Sequence, residues 1–341
     1  MERVIKKTDF FKLFLENLKA KYQVIGPTRR GGGTSSYAYA TFDYIDRAIE
    51  LELSYGSTMG SIKKLFFPDH ETLYQYKKNG QDFDLVDQRK VWDKEKLILG
   101  LRPCDITALR ALDEVFMSDP HYQDKRNRSI IIGLTCISAC PRGFCSSVGS
   151  GPDIESGYDI LLTDIGDTFF CRSGSDRGED LISEDYFKDA DDQERQMRAE
   201  SMKKVESELV QIFSLDKVTS ILADKYNDDL WDEFADKCFT CGSCNMVCPT
   251  CTCFTINDRT KVDYSEGKRI IVWDSCHFER FAQMAGNFNL REEKKSRFKH
   301  RIYDKFHFSL VRNGKVSCVG CGRCAEFCPS HIDIRDALSK V

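Results

Sequence analysis

One short pattern of four cysteines occurs twice near the end of the chain. The first copy runs from Cys238 to Pro249 and the second from Cys318 to Pro329. Both copies read C-x₂-C-x₂-C-x₃-C-P, the spacing of bacterial [4Fe-4S] sites. Three thiolates, each separated from the next by two residues on a tight loop, can hold three corners of a cubane cluster. The Gly after the second Cys lets backbone amides approach the inorganic sulfides of the cluster. The repeat therefore predicts two clusters.

The fourth cysteine of each copy is expected to reach the cluster of the other copy, as in two-cluster ferredoxins. One predicted cluster is bound by Cys238, Cys241, Cys244 and Cys328, and the other by Cys318, Cys321, Cys324 and Cys248. A structural zinc module is the alternative, because zinc takes four ligands and usually draws two from each of two knuckles. Four cysteines and a proline in each copy favour clusters, because zinc does not need them.

The composition also indicates that the cysteines bind metal. The chain has 341 residues, 16 cysteines and a formal net charge of −4. Cytoplasmic thiols are kept reduced and a chain of this length needs no disulfide framework, so metal binding is the default explanation for the cysteines. No basic excess suggests a nucleic-acid partner, and no apolar stretch reaches the roughly 18 residues of a membrane span. With no apolar signal core after Met1, we expect a cytoplasmic protein.

The length allows two domains, with a boundary near Asp216–Trp231. Residues 1–220 have an α/β pattern, because buried strands are predicted at Leu97–Leu101 and Ser129–Leu134 with a helix between them. The fold class predicted is α+β, with this N-terminal α/β domain followed by a mostly α-helical, ferredoxin-like domain at residues 221–341. Gly31-Gly32-Gly33 is interpreted as a turn, since no Lys-Ser/Thr follows it.

The 69 residues between the two motifs look helical, mainly at Ser275–Ala285 and Arg291–Lys305. A compact ferredoxin has a much shorter linker, so this region resembles the all-helical ferredoxin domain of heterodisulfide-reductase-type and fumarate-reductase-type iron–sulfur subunits. The basic residues from Lys294 to Lys305 are interpreted as a solvated helix face. The alternatives are a docking surface or a source of positive charge near a cluster.

A third [4Fe-4S] cluster is predicted in the N-terminal domain. Its expected ligands are Cys104, Cys136, Cys140 and Cys145. Two parallel strands joined by a right-handed crossover end at the same edge of a sheet, which places Cys104 and Cys136 together at the carboxyl edge. Cys140 is the weakest candidate, with Cys253 or Cys276 as possible substitutes. Cys171 is explained as a buried thiol.

Three more cysteines lie close to the first motif. They are Cys251, Cys253 and Cys276. A buried thiol behaves as a small apolar side chain, so these residues need not bind metal. Their closeness to two cluster motifs also allows a role as additional ligands, and both interpretations stay open.

Several less common pieces carry a family resemblance. These are Cys248-Pro-Thr-Cys251-Thr-Cys253, Trp273-Asp-Ser-Cys276, Leu101-Arg-Pro-Cys104-Asp105 and the stretch from Cys136 to Pro152. With them, nearly the whole chain resembles the family that includes an iron–sulfur subunit of anaerobic sulfite reductase and the beta subunit of soluble sulfhydrogenases. The family tends to have Cys where this chain has Gly143, and Cys140 is the possible replacement.

The resemblance implies an electron-transfer subunit. Such a subunit relays electrons between a catalytic partner and a flavin- and NAD(P)H-binding subunit. The catalytic partner could be a hydrogenase, a sulfite reductase or a heterodisulfide-reductase-like protein. No substrate chemistry of its own is expected. A catalytic iron–sulfur reductase is the alternative, but the adjacent Cys-Cys motifs of disulfide-reducing relatives are missing from this sequence.

Overall fold

The computed structural model describes residues 1–29, 39–89 and 92–341. The turn predicted at Gly31–Gly33 lies outside the described residues. Within the described part of the chain, no helix has the length and apolar character needed to cross a membrane.

The described residues form twelve strands and a set of mostly short helices. The strands are β1 (Glu2–Lys6), β2 (Gln23–Thr28), β3 (Thr41–Tyr44), β4 (His70–Asn79), β5 (Asp82–Asp87), β6 (Lys96–Leu101), β7 (Ser129–Leu134), β8 (Ile160–Asp164), β9 (Thr168–Ser173), β10 (Lys188–Asp189), β11 (Phe254–Thr260) and β12 (Glu266–Trp273). The α-helices are α1 (Lys7–Asp9), α2 (Leu15–Lys21), α3 (Lys63–Phe66), α4 (Pro103–Phe116), α5 (Pro120–Asn127), α6 (Asp176–Leu181), α7 (Asp192–Glu208), α8 (Leu215–Leu222), α9 (Leu230–Lys237), α10 (Ser243–Met246), α11 (Lys294–Tyr303), α12 (Ser309–Asn313), α13 (Arg323–Glu326) and α14 (Ile334–Ser339).

An eight-stranded sheet forms the centre of the molecule, in the order β10-β1-β9-β8-β7-β6-β2-β3. Strands β2, β6, β7 and β8 are parallel, and the flanking strands are antiparallel. The predicted strands β6 and β7 are confirmed as parallel neighbours, with Leu97 opposite Ile130. Two helices, α4 and α5, connect them rather than the single predicted helix. The mixed α/β character of the chain is confirmed.

Both faces of this sheet are buried, which explains why its central strands are continuously apolar. Leu97 and Leu99 point into a core that includes Phe10 and Phe14. Ile98, one position out of phase, belongs to the core on the opposite face, against the inner side of α4. Successive side chains of a strand point to opposite faces, so one short run supplies both cores.

A second sheet corrects the expectation of a helical segment between the motifs. It has four antiparallel strands in the order β11-β12-β4-β5. Residues 254–273 form the hairpin of β11 and β12, and β12 pairs with β4 from the N-terminal half. β-Branched residues such as Thr255, Ile270 and Val272 favour strands. A mostly helical C-terminal domain is therefore not confirmed.

Helices near both motifs pack around a third core. Trp231 and Phe306 are fully buried in it, and Phe144 reaches it from the N-terminal half. The indole of Trp231 packs against the ring of Tyr303 with a centroid distance of 5.7 Å. The predicted boundary near residue 220 stays a prediction, and contacts as well as a shared sheet cross it.

Candidate iron–sulfur sites

The two motif loops have the same backbone shape. Thr240 and Gly320, each two residues after the first cysteine of a motif, have φ values of 53° and 59°. Gly242 and Gly322, which follow the second cysteine, have φ values of 74° and 75°. These conformations are in the left-handed region that favours glycine. The repeat in sequence is thus also a repeat in structure.

Backbone amides point at cysteine sulfurs in both loops. The N–H of Thr240 donates to Cys238 Sγ at 3.3 Å, and the N–H of Gly320 donates to Cys318 Sγ at 3.4 Å. The N–H of Ile332 donates to Cys328 Sγ at 3.4 Å. The contact between the first cysteine and the backbone amide two residues later thus recurs in both motif loops.

Two cavities lie between the motif loops. The first cavity is lined by Cys238, Cys244, Cys328 and Cys324, together with His277 and Arg301. The second cavity is lined by Cys248, Cys318, Cys321 and Cys324, together with Arg301 and Lys305. Each cavity thus takes the fourth cysteine of the other motif. Cys241 is exposed and does not line the first cavity.

Cys248 has the environment of a thiolate. A side-chain hydrogen bond with Cys251 is the largest cause that lowers the pKa of Cys248 well below its ordinary value. The side chain of Thr250 lies 3.4 Å from the same sulfur. A thiol that ionises readily is a good metal ligand.

A third cavity, called here the N-terminal cavity, gathers the four cysteines predicted for the N-terminal cluster. It is lined by Cys104, Cys136, Cys140 and Cys145, and also by Cys321, Arg102, Asp105 and Arg323. Cys104 lies at the start of α4 and Cys136 follows β7, so both stand at the carboxyl edge of the large sheet. Cys253 and Cys276, considered as substitutes for Cys140, do not line this cavity.

Burial raises the pKa of these four N-terminal thiols. The pKa of Cys136 rises to about 12, and that of Cys104 rises well above its ordinary value. The pKa values of Cys140 and Cys145 rise for the same reason. Thiols in such surroundings stay protonated until a metal compensates the negative charge, so metal binding here must release protons. The donor set fits an iron–sulfur cluster.

The N-terminal cavity adjoins the second motif loop. The backbone N–H of Phe144 donates to the carbonyl of Gly320 at 2.7 Å, and the hydroxyl of Ser150 donates to the carbonyl of Val319 at 2.6 Å. A Cβ atom added to Gly320 would lie 2.6 Å from the backbone N of Cys145. Only glycine allows the two loops to come this close.

Replacing Gly320 by Ala is therefore expected to reduce the iron content of both neighbouring sites. The new methyl group must displace the backbone at Cys145, and φ near 59° adds strain of about 1–2 kcal/mol for alanine. Gly314→Ala is the matched control, since its φ is 72° and nothing lies within 4 Å of the added Cβ. Iron per chain checks the prediction, which is wrong if both variants hold the same amount.

Part of the basic run is buried beside the cavities, so the solvated-face interpretation is wrong for these residues. Arg301 and Lys305 are 7% and 3% exposed. Arg301 donates to the carbonyl of Cys244 at 3.0 Å, and Lys305 donates to the carbonyl of Thr250 at 2.8 Å. Burial alone would lower the pKa of Lys305, but the sulfurs of Cys251 and Cys248 raise it overall. These cations can compensate the negative charge of thiolates.

A buried ion pair that sequence reasoning missed joins the second motif to the N-terminal half. Arg323 and Asp105 lie 2.8 Å apart, and each side chain is 1% exposed. Arg323 also donates to the carbonyl and hydroxyl oxygens of Thr58. Burial opposes the charge of Arg323, yet Asp105 raises its pKa well above the ordinary value. A charged residue inside a cysteine motif was the available signal.

The three additional cysteines line a further cavity, called here the wide cavity. Cys251, Cys253 and Cys276 share it with Asn245, Arg301, Lys305 and Cys318. The buried amide of Asn245 donates to Cys276 Sγ at 3.2 Å and lies 3.8 Å from Cys253 Sγ. Cys171 is fully buried in β9, as expected for a thiol with a packing role.

A site for a single metal ion requires its ligands to lie close together. In tetrahedral zinc sites with Zn–S bonds of about 2.3 Å, the sulfurs stand about 3.8 Å apart. Within residues 1–29, 39–89 and 92–341, no group of three or more His, Cys, Asp or Glu side chains is arranged to hold one metal ion.

Comparisons with known proteins agree with the cysteine geometry. Residues 237–332 match the family of 4Fe-4S dicluster domains. Sulfhydrogenase 2 subunit beta of Pyrococcus furiosus is 31% identical over 347 residues, which span 100% of this chain and 98% of that protein. No solved structure matches the chain. The chain therefore belongs to the sulfhydrogenase-beta-like family of 4Fe-4S electron-transfer proteins.

Proposed function

We propose that the chain is the electron-relay subunit of a larger oxidoreductase complex and carries three neighbouring [4Fe-4S] clusters in its four-cysteine cavities. Each cluster, when bound, takes up and releases one electron. The observation that supports the relay best is that the cavities share lining residues. Cys324 and Arg301 line both the first and the second cavity, and Cys321 lines both the second and the N-terminal cavity.

The proposed ligands are those predicted from the sequence, and all except Cys241 line the cavity of their cluster. Cys238, Cys241, Cys244 and Cys328 bind the first cluster, Cys318, Cys321, Cys324 and Cys248 the second, and Cys104, Cys136, Cys140 and Cys145 the third. The exposure of Cys241 supports a position of the first cluster near the surface, and the Arg323–Asp105 pair lines the N-terminal cavity, which is the proposed site of the third cluster. The residues of this chain thus hold the sites in a row and supply the charges around them.

The proposed partners are two other subunits. A flavin- and NAD(P)H-binding subunit exchanges electrons at one end of the row, and a catalytic redox subunit exchanges them at the other. The relative's name identifies it as one subunit of a sulfhydrogenase, which supports a multi-subunit assembly. Sixteen thiols are best preserved in a reducing compartment, so we place the complex in the cytoplasm.

The isolated chain is expected neither to bind nor to oxidise NADH or NADPH. No G-x-G-x-x-G pattern follows a strand in its sequence, so it lacks a dinucleotide-binding turn. Visible absorbance of the clusters under anaerobic conditions gives the measurement. Dithionite should bleach the isolated chain, while NADH should bleach it only after the flavoprotein subunit is added.

Two results would contradict the relay role. Bleaching by NADH alone, together with calorimetric binding of NADH, would mean that the chain has a nucleotide site of its own. A colourless protein that contains zinc would favour the structural alternative.

A further inference from the structure

Three cysteines outside the proposed ligand sets meet at the base of the β11–β12 hairpin. Cys253 directly precedes β11 and Cys276 lies three residues after β12. The first residue of β11 pairs with the last of β12, and the N–H of Asp274 donates to the carbonyl of Cys253 at 2.9 Å. The hairpin thus brings together two thiols that are far apart in sequence, and Cys251 joins them in the wall of the wide cavity.

The amide of Asn245 is aimed at these sulfurs. Asn245 is 2% exposed, and its Nδ2 lies 3.2 Å from Cys276 Sγ and 3.8 Å from Cys253 Sγ. Among the described residues, this amide nitrogen has no oxygen acceptor. Buried amides are normally paired with good acceptors, and a neutral thiol is a weak one. The arrangement becomes favourable when the sulfurs carry negative charge.

A buried ammonium group from the N-terminal half lies beside the same cysteines. Lys63 is 2% exposed and donates to the carbonyl of Cys251 at 3.0 Å. Its Nζ also lies 3.8 Å from the ring centroid of Trp273. Within the described part of the chain it forms no salt bridge with a carboxylate. A buried charge is costly unless an opposite charge compensates it, and anionic sulfur is the candidate that the surroundings offer.

We propose that Cys251, Cys253 and Cys276 bind a fourth iron–sulfur cluster. Three thiolates leave one iron without a cysteine, because the remaining cysteine of the wide cavity, Cys318, is already assigned to the second cluster. That iron is open to the wide cavity, whose lining includes Arg301, and it takes water or a small anion as its ligand. The proposal rests on the proposed function, since it extends the relay by one centre next to the second cluster.

Iron and acid-labile sulfide in the full-length chain test this proposal. After anaerobic reconstitution, the unaltered chain should hold about sixteen irons, and a Cys253→Ala/Cys276→Ala double variant about twelve. Cys171→Ala is the matched control, because Cys171 is a fully buried thiol far from the motifs in sequence, and it should keep all sixteen. Cyanide should shift the EPR signal of one reduced cluster in the unaltered chain and not in the double variant.

The possible outcomes separate this proposal from the relay function. Twelve irons in both the unaltered chain and the double variant, with no cyanide effect, would overturn the fourth cluster and leave the relay intact. Twelve irons in the unaltered chain and eight in the double variant would support a cluster at this site and would mean that the N-terminal cysteines hold none. If the double variant does not fold, the unaltered chain decides: absence of any cyanide effect on its EPR signals overturns the proposal, and a shift in the signal of one cluster supports it. Absence of iron would end both proposals.

Discussion

Replacing Arg323 by Met should destabilise the protein strongly and empty the N-terminal cluster site. The substitution keeps much of the side-chain volume but leaves the carboxylate of Asp105 buried without its partner 2.8 Å away. Removing one member of a buried ion pair typically costs about 3–5 kcal/mol. Asp105 adjoins Cys104, so its displacement should disturb a proposed ligand. The urea midpoint of the anaerobic protein and its iron content give the measurements.

A matched control separates this effect from simple loss of an ion pair. Arg312 pairs with Asp304 at the surface, where the side chains are 61% and 37% exposed. Arg312→Met should therefore cost only about 0–1 kcal/mol and no iron. An Arg323→Met/Asp105→Asn double variant should recover part of the lost stability, because no charge is then left unpaired. Equal urea midpoints for Arg323→Met and Arg312→Met would contradict the role given to the buried pair.

Much of the N-terminal half could be predicted because its signals are local. Apolar runs such as Leu97–Leu101 are long enough to identify buried strands, and the handedness of crossovers then fixes the neighbouring strand as parallel. The crossover rule puts Cys104 and Cys136 at one sheet edge, and the structure has both in the N-terminal cavity. The predicted ligand sets stay predictions.

The errors arose where distant parts of the chain decide the outcome. The sequence predicts helices in the segment that forms the hairpin of β11 and β12. The hairpin is a sheet because β12 pairs with β4, which lies nearly two hundred positions away in sequence, and no local pattern reports that pairing. The basic residues Arg301 and Lys305 were expected in solvent, as charged helix residues usually are. Their burial is possible because carbonyl groups around the cavities accept their hydrogen bonds, whereas an apolar core offers no such acceptors.

The position of Cys276 also depends on contacts between residues that are distant in sequence. The sequence offers Cys276 as a substitute ligand for the N-terminal cluster, since the family tends to have a cysteine where this chain has Gly143. The structure instead has Cys140 in the N-terminal cavity and Cys276 beside Asn245 in the wide cavity. Sequence spacing says which cysteines are close along the chain, whereas the hairpin decides which are close in space.

Loss of a cysteine should have a larger effect in the middle of the row of clusters than at its end. Cys321 lines both the second and the N-terminal cavity, while Cys241 is exposed and does not line the first cavity. Cys241→Ala should therefore remove about four irons and disturb the second cluster only in part. Cys321→Ala should remove at least four and lower the occupancy of clusters on both sides, because crossed ligands tie the loops together.

Iron, acid-labile sulfide and zinc, measured together on the anaerobically purified full-length chain and on these two variants, test the relay most directly. The unaltered chain should contain at least about twelve irons with matching sulfide and no stoichiometric zinc, and the Cys321→Ala variant should lose the most. Stoichiometric zinc without sulfide would contradict the proposed clusters. So would iron that stays at the unaltered level when both cysteines are replaced.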